Sequence, residues 1–155
     1  MPATDATSAL RLIREPRNDW WRIRFDGGCN GNGSPNATGR WGFFVECNLG
    51  VTQLEGSGKA KGDPVTNNLA EWQGLYHALL GLTWQRIEPA GVLIEGDSQL
   101  VIHCLTGKWG SKTPALTRLR DECRALLFDY GVPWAARWIS RERNERCDRL
   151  AASVR

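Results

Sequence analysis

Four short stretches of the sequence place an acid where chemistry is possible. They are FDGGCNGNG around Asp26, TNNLAEWQGL around Glu71, IEGDSQLV around Asp97 and RNERCDRLA around Asp148. Each has a plain structural reading. Asp26-Gly27 is a common tight-turn pair, Asp97 precedes a helical pattern and suits an N-cap, and Asp148 fits a solvated helix position. Glu71 is harder to set aside. Residues 71, 75, 78, 79 and 82 share one helical face, and the other four are Leu, Ala, Leu and Leu. A carboxylate heading a core-facing stripe has to be paired, protonated or bound to metal, because an isolated buried charge is costly. Asp26 closes an alternating run, with Trp21, Ile23 and Phe25 on one side and Arg22 and Arg24 on the other. The backbone after it is nearly bare, with Gly27, Gly28, Gly31 and Gly33 before Arg40. An acid at a strand end beside accessible backbone also fits a binding site.

The elements that would carry these acids follow from periodicity. A first strand ends at Asp26. Alternation over 41–47, the turn Asn48-Leu49-Gly50 and a third strand over 51–55 predict an antiparallel hairpin, after which GSGKAKGDP reads as a loop. A helix is expected over 67–84, and Val92-Leu93-Ile94 between glycines reads as a strand buried on both faces. A short helix opens at Asp97, GKWGSKTP is a loop, and Leu116, Leu119, Cys123 and Leu126 mark a longer amphipathic helix. A fifth strand over 132–139 and a helix from about Asn144 close the chain. The order β-β-β-α-β-α-α-β-α calls for one five-stranded mixed sheet of the α/β class. It is a three-strand antiparallel meander followed by parallel strands reached through helical crossovers. In such sheets function gathers at the carboxyl ends of the parallel strands, where all four acids can converge.

Composition limits the alternatives. At 155 residues the chain is one domain, here divided into a loosely held tail over 1–18 and a body over 19–155. The start lacks the apolar core of a secretory signal, and no apolar run approaches membrane-spanning length. The net charge of +3 is compatible with a polyanionic partner without demanding one. Five cysteines, odd in number and widely spaced, predict free thiols and a cytoplasmic setting. His77 and His103 are the only histidines and neither lies near paired cysteines, which argues against a zinc site.

Together the four motifs, in this order and with these intervening elements, resemble type I ribonuclease H over nearly the whole of 20–153. The resemblance implies the ribonuclease-H-like fold and endonucleolytic hydrolysis of the RNA strand of RNA–DNA hybrids, without strong sequence specificity. It carries the family's metal-binding carboxylates to Asp26, Glu71, Asp97 and Asp148. Two Mg²⁺ ions, with Mn²⁺ as a substitute, would activate water, clamp the phosphate and stabilise the leaving oxygen. Asp26 would bridge both ions, and the bare loop after it would admit the substrate backbone.

The resemblance also makes Cys29, Asn32, Asn67, Asn68 and Gln99 contacts to the hybrid's minor groove and sugars, where 2′-hydroxyls distinguish RNA. Thr66 matches a residue of the family's DNA-phosphate pocket, and Asn144, which shares a helical face with Asp148, is expected among the substrate-binding residues. For these polar residues the plain reading is helix capping and loop hydrogen bonding. Two features depart from the long members of the family. The basic, aromatic protrusion is reduced to GKWGSKTP, and the histidine loop before the fourth acid to Ile-Ser-Arg-Glu-Arg. Pro64 stands where long bacterial members place a pocket arginine. Arg141 is the expected electrostatic substitute for the histidine. The chain is expected to act as a monomer, without membrane or small-molecule cofactor. The rival readings are a catalytically silent nucleic-acid-binding or interaction module of the same fold, and a nuclease of that superfold acting on other DNA substrates.

Overall fold

The computed structural model describes residues 6–86 and 88–155. Five strands, β1 (Trp21–Asn30), β2 (Thr38–Glu46), β3 (Thr52–Ala60), β4 (Val92–Gly96) and β5 (Trp134–Trp138), form one sheet in the order β3-β2-β1-β4-β5. β2 runs antiparallel to β1 and β3, whereas β4 and β5 continue the sheet in parallel with β1. The helices are α1 (Asn67–Trp84), α2 (Gln99–Thr106), α3 (Pro114–Tyr130) and α4 (Glu145–Ala152), so the expected element order and mixed sheet are present.

The main core lies between one face of the sheet and α1–α3. The α1 stripe of Leu75, Ala78, Leu79 and Leu82 is buried with Ile23, Phe25, Phe43 and Val45. The other face receives α4 at Gly42, where a methyl group would meet Cys147, Leu150 and Ala151. All five cysteines are free, and among the described residues no helix is long and apolar enough to cross a membrane.

Three expectations about boundaries need correction, each for a packing reason. β1 does not end at Asp26. It runs on to Asn30, with Gly27, Gly28 and Cys29 paired to Trp41, Arg40 and Gly39. The bare stretch is strand because a Cβ at Gly27 would overlap the backbone of Ala70 and Glu71, so its missing side chain makes room for α1. β3 likewise extends through GSGKA, because Gly56 and Gly58 lie against the rings of Phe43 and Trp41 and need no side chains of their own. Asp97 does not cap α2; Ser98 does, its Oγ accepting the Val101 N–H at 3.2 Å.

The segment read as a loosely held tail is partly built into the body. Residues Ala6–Leu12 form a 3-10 helix with Ala9 fully buried. Ala9 accepts a hydrogen bond from Trp134 Nε1 at 3.0 Å, and Arg14 N donates to the Trp134 carbonyl at 3.0 Å. Residues 1–5 lie outside the described residues.

Candidate active site

β4 stops at Gly96, opposite Phe25, while β1 continues with β2 alone. Asp26 therefore emerges where its parallel neighbour ends, and Asp97 follows directly from that neighbour. α1 brings in the third acid. Its first turns press on Gly27, and at Gly74, further along the same helix, an added Cβ would stand only 2.9 Å from the Asp26 carbonyl. This close crossing sets Glu71 over Asp26. One carboxylate oxygen each from Asp26, Glu71 and Asp97 lies within 4.8 Å of the others.

The clustering changes the acids themselves. Burial, and then the negative charges of Asp97 and Glu71, push the Asp26 pKa up to about 8 against the pull of the Gly27 N–H. Burial also pushes Glu71 up to about 7, opposed by a hydrogen bond from Ser98 and by the charge of Arg141. Asp97 is raised by burial, and moderated by a hydrogen bond with Asp26, by Arg141 and by Asn144. Asp26 and Asp97 thus both hold a proton more tightly than an ordinary aspartate does.

Asp148, on the exposed side of α4, is not in the three-acid cluster, but its charge adds to the upward push on Asp26. Arg141 opens a 3-10 turn (Arg141–Asn144), exposed to solvent, with its positive field on Glu71 and Asp97.

The polar residues divide into struts and exposed groups. Asn32 Oδ1 accepts the Asn67 N–H at 2.9 Å and Gly33 N donates to the Val65 carbonyl at 3.1 Å, tying the β1–β2 loop to the start of α1. Thr66 caps α1 by accepting the Leu69 N–H at 3.2 Å. Cys29 Sγ is 3.5 Å from the Val65 carbonyl. Asn144 is only 1% exposed and its Nδ2 donates to the Phe25 carbonyl at 2.8 Å. It is a strut between β1 and α4 rather than a surface contact, because the 3-10 turn tucks it under the sheet end. Its Oδ1 is the one buried side-chain oxygen or nitrogen without a partner among the described residues. Asn67, Asn68 and Gln99 are exposed at the first turns of α1 and α2. Sequence reasoning missed Ser98, which both caps α2 and bonds Glu71, although a serine directly before a helical pattern is a capping signal. It also missed Trp138, whose Nε1 donates to the Asp97 carbonyl at 3.0 Å. In the loop between α2 and α3, Trp109 packs on His103 with ring centroids 4.5 Å apart.

A family model described as reverse transcriptase-like matches residues 24–154. Ribonuclease HI of Halobacterium salinarum is 35% identical over 147 residues, covering 94% of this chain and 69% of the relative. The bifunctional protein Rv2228c of Mycobacterium tuberculosis is 35% identical over 130 residues, 83% of this chain but 34% of that longer protein. The solved structure of LC11-RNase H1 in complex with an RNA/DNA hybrid matches with a TM-score of 0.78 at 25% identity, covering 86% of this chain and 95% of that one. Matched over nearly its whole body by that family model and by a ribonuclease HI of 35% identity, the chain belongs to the ribonuclease-H-like, reverse transcriptase-like family.

Proposed function

We propose that the chain is a ribonuclease H that hydrolyses the RNA strand of RNA–DNA hybrids, with divalent cations held by Asp26, Glu71, Asp97 and Asp148. The observation that carries this reading is the convergence of three carboxylates within 4.8 Å, from the middle of β1, the residue after β4 and the first turns of α1. Oxygen-only donors suit a hard cation such as Mg²⁺, and Mn²⁺ accepts the same set. Bound there, two such ions supply Lewis-acid stabilisation and an activated water for phosphodiester cleavage.

The chain's own residues have distinct tasks. Ser98 fixes the Glu71 carboxylate, and the Asn144 amide holds the Asp97 side chain and the end of β1 in one arrangement. Asp148 adds its carboxylate from α4 across the sheet end. Arg141 cannot act as a general base, since its guanidinium stays charged. Its task is electrostatic: a charge-assisted contact to the scissile or departing phosphate. Asn67, Asn68 and Gln99 face solvent beside the acids, where short amides read 2′-hydroxyls without base specificity. Cys29, Asn32 and Thr66 shape that surface by fixing its backbone. All four acids come from one chain, which is consistent with action as a monomer.

The deciding experiment incubates labelled RNA–DNA hybrid, double-stranded RNA and double-stranded DNA with the protein in Mg²⁺ and in EDTA. Cleavage of the RNA strand of the hybrid in Mg²⁺ alone is expected. No cleavage of the hybrid in Mg²⁺ or Mn²⁺, with binding retained, overturns the enzymatic reading in favour of a silent binding module.

A further inference from the structure

The sheet face opposite α1–α3 is only partly covered. α4 packs on β1, β2 and β3, while further along the same face Trp20, Leu93 and Ala135 form a small apolar cluster apart from the main core. Between these regions stands Glu95, fully buried, and three guanidinium groups converge on it. Arg22 Nε lies at 3.0 Å, Arg24 Nε at 3.1 Å and Arg137 Nε at 2.7 Å. One arginine is enough to neutralise a buried carboxylate. Here three approach through Nε, which leaves their terminal amines for other partners. Those of Arg24 reach the Arg143 carbonyl at 2.8 Å, and those of Arg22 reach Glu46 at 3.1 Å. Arg137 has a half-exposed side chain and meets Glu95 through Nε alone among the described residues. Arg17 joins Arg22 and Arg137 in lining a groove of about 510 Å³. Two carboxylates, Glu95 and Glu46, thus answer four guanidiniums, and the surplus positive charge faces solvent.

The position of this strip matters as much as its charge. Arg22, Arg24 and Asp26 alternate on one face of β1, about 7 Å apart by strand geometry. The hydrogen bond from Arg24 to the Arg143 carbonyl ties the strip to the turn that carries Arg141. The strip therefore begins beside the acid cluster and runs down the open face from β1 across β4 to β5, about 10 Å wide by strand spacing. It is made of arginine throughout, and guanidinium forks fit phosphate oxygens better than ammonium groups do. A patch that narrow suits a single strand rather than a duplex.

We propose that this arginine strip binds the single-stranded continuation of a nucleic acid whose hybrid portion occupies the acid cluster. The inference rests on the hybrid-cleaving reading for its substrate, and its test separates the two. Affinities of the whole protein are measured in Ca²⁺ by fluorescence anisotropy for a blunt RNA–DNA hybrid and for the same hybrid with a single-stranded extension on either side. Cleavage of the blunt hybrid in Mg²⁺ is followed in parallel. One of the two extensions is expected to tighten binding about 5- to 30-fold at low salt and to steepen the salt dependence, each single-strand phosphate contact adding about 0.7 to the slope. Arg22→Gln/Arg137→Gln is expected to erase that gain and leave blunt-hybrid cleavage unchanged, while Arg137→Lys keeps part of it. Should the double variant fail to fold, Arg137→Gln alone is expected to lose at least half of the gain, since Arg22 and Arg24 still neutralise Glu95. Equal affinity for blunt and extended hybrids, or a gain that survives in the variants, overturns the inference while leaving the nuclease reading intact. Displacement of the extension by poly-glutamate at equal charge concentration overturns the assignment to nucleic acid. Failure to cleave the blunt hybrid counts only against the nuclease reading, because the affinity comparison stands without it.

Discussion

Replacing Asp26 by Asn should stabilise the metal-free protein while destroying its catalysis. In the folded state the Asp26 pKa stands at about 8 against an ordinary value of 3.8. The folded protein therefore holds a proton that the unfolded chain releases, and the stability of the metal-free wild type falls as pH rises between about 4 and 8. At about 1.4 kcal/mol per pKa unit the full shift sets a ceiling of about 6 kcal/mol above pH 8. Part of that shift comes from the neighbouring Asp97 charge, itself held down by a raised pKa, and the folded site relaxes, so about 1–3 kcal/mol is the expected gain. Asparagine keeps the shape and removes the titration. In EDTA the variant should match wild type near pH 4.5 and exceed it increasingly up to pH 8.5, as read by urea unfolding across that range. In saturating Mg²⁺ the order should reverse, because wild type gains binding stabilisation that the variant lacks, and hybrid cleavage should fall at least about a thousandfold, a loss of about 4 kcal/mol. A variant no more stable than wild type at pH 8.5 in EDTA, or wild-type stability that climbs with pH in this window, would refute the reasoning.

Other outcomes follow from particular contacts. Arg141→Ala should lower turnover about 10- to 1000-fold, roughly 1.4–4 kcal/mol, with Arg141→Lys retaining part and Arg143→Ala changing little; equal single-turnover rates for Arg141→Ala and wild type would remove Arg141 from the mechanism. Gly27→Ala should destabilise the fold by about 1–3 kcal/mol by wedging α1 from β1 and should cut cleavage further than that loss accounts for, measured at a temperature where the variant is fully folded. Lys108→Ala/Lys112→Ala should flatten the salt dependence of hybrid binding by roughly 1–2 in slope; an unchanged slope would take the 107–114 loop off the contact surface.

Much of this fold was legible because its elements have distinct periods. The α1 bounds over 67–84 and the element order were readable from the apolar stripe and from the glycine-bounded run at 92–94. The misplaced boundaries share one cause. Glycine reads as a loop signal at 27, 28, 56 and 58, yet in each case it lies within a strand. Three of these make sense only against another element: α1 at Gly27, and the rings of Phe43 and Trp41 at Gly56 and Gly58. A single sequence shows that a side chain is missing, but not which neighbour fills the space. The same limit hid the arginine cluster. Arg22 and Arg24 read as the polar face of the first strand, and nothing joins them to Glu95 or Arg137 until the parallel register aligns Arg24 with Glu95 and Glu95 with Arg137.

Two ways of handling charge thus stand back to back on one sheet. Around Asp26 in β1 and Asp97 just past β4, carboxylates gather with Arg141 as the cation acting on Glu71 and Asp97, and burial pushes all three pKa values up, Asp26 to about 8 and Glu71 to about 7. On the open face, Glu95 is surrounded by arginines that hold it ionised in spite of burial. The difference lies in strand register. Arg24 precedes Asp26 by two residues on the same strand face, but its guanidinium is committed to Glu95 and to the Arg143 carbonyl. Held there, Arg24 cannot neutralise Asp26, and the acid cluster keeps an excess of negative charge suited to a divalent cation. Replacing Glu95 by Gln would test this division. Released from its partner, Arg24 should swing toward Asp26, lower that acid's pKa and weaken Mg²⁺ affinity. That shift is measurable by calorimetric titration, and an unchanged Mg²⁺ affinity in folded Glu95→Gln would show that the two charge systems are independent.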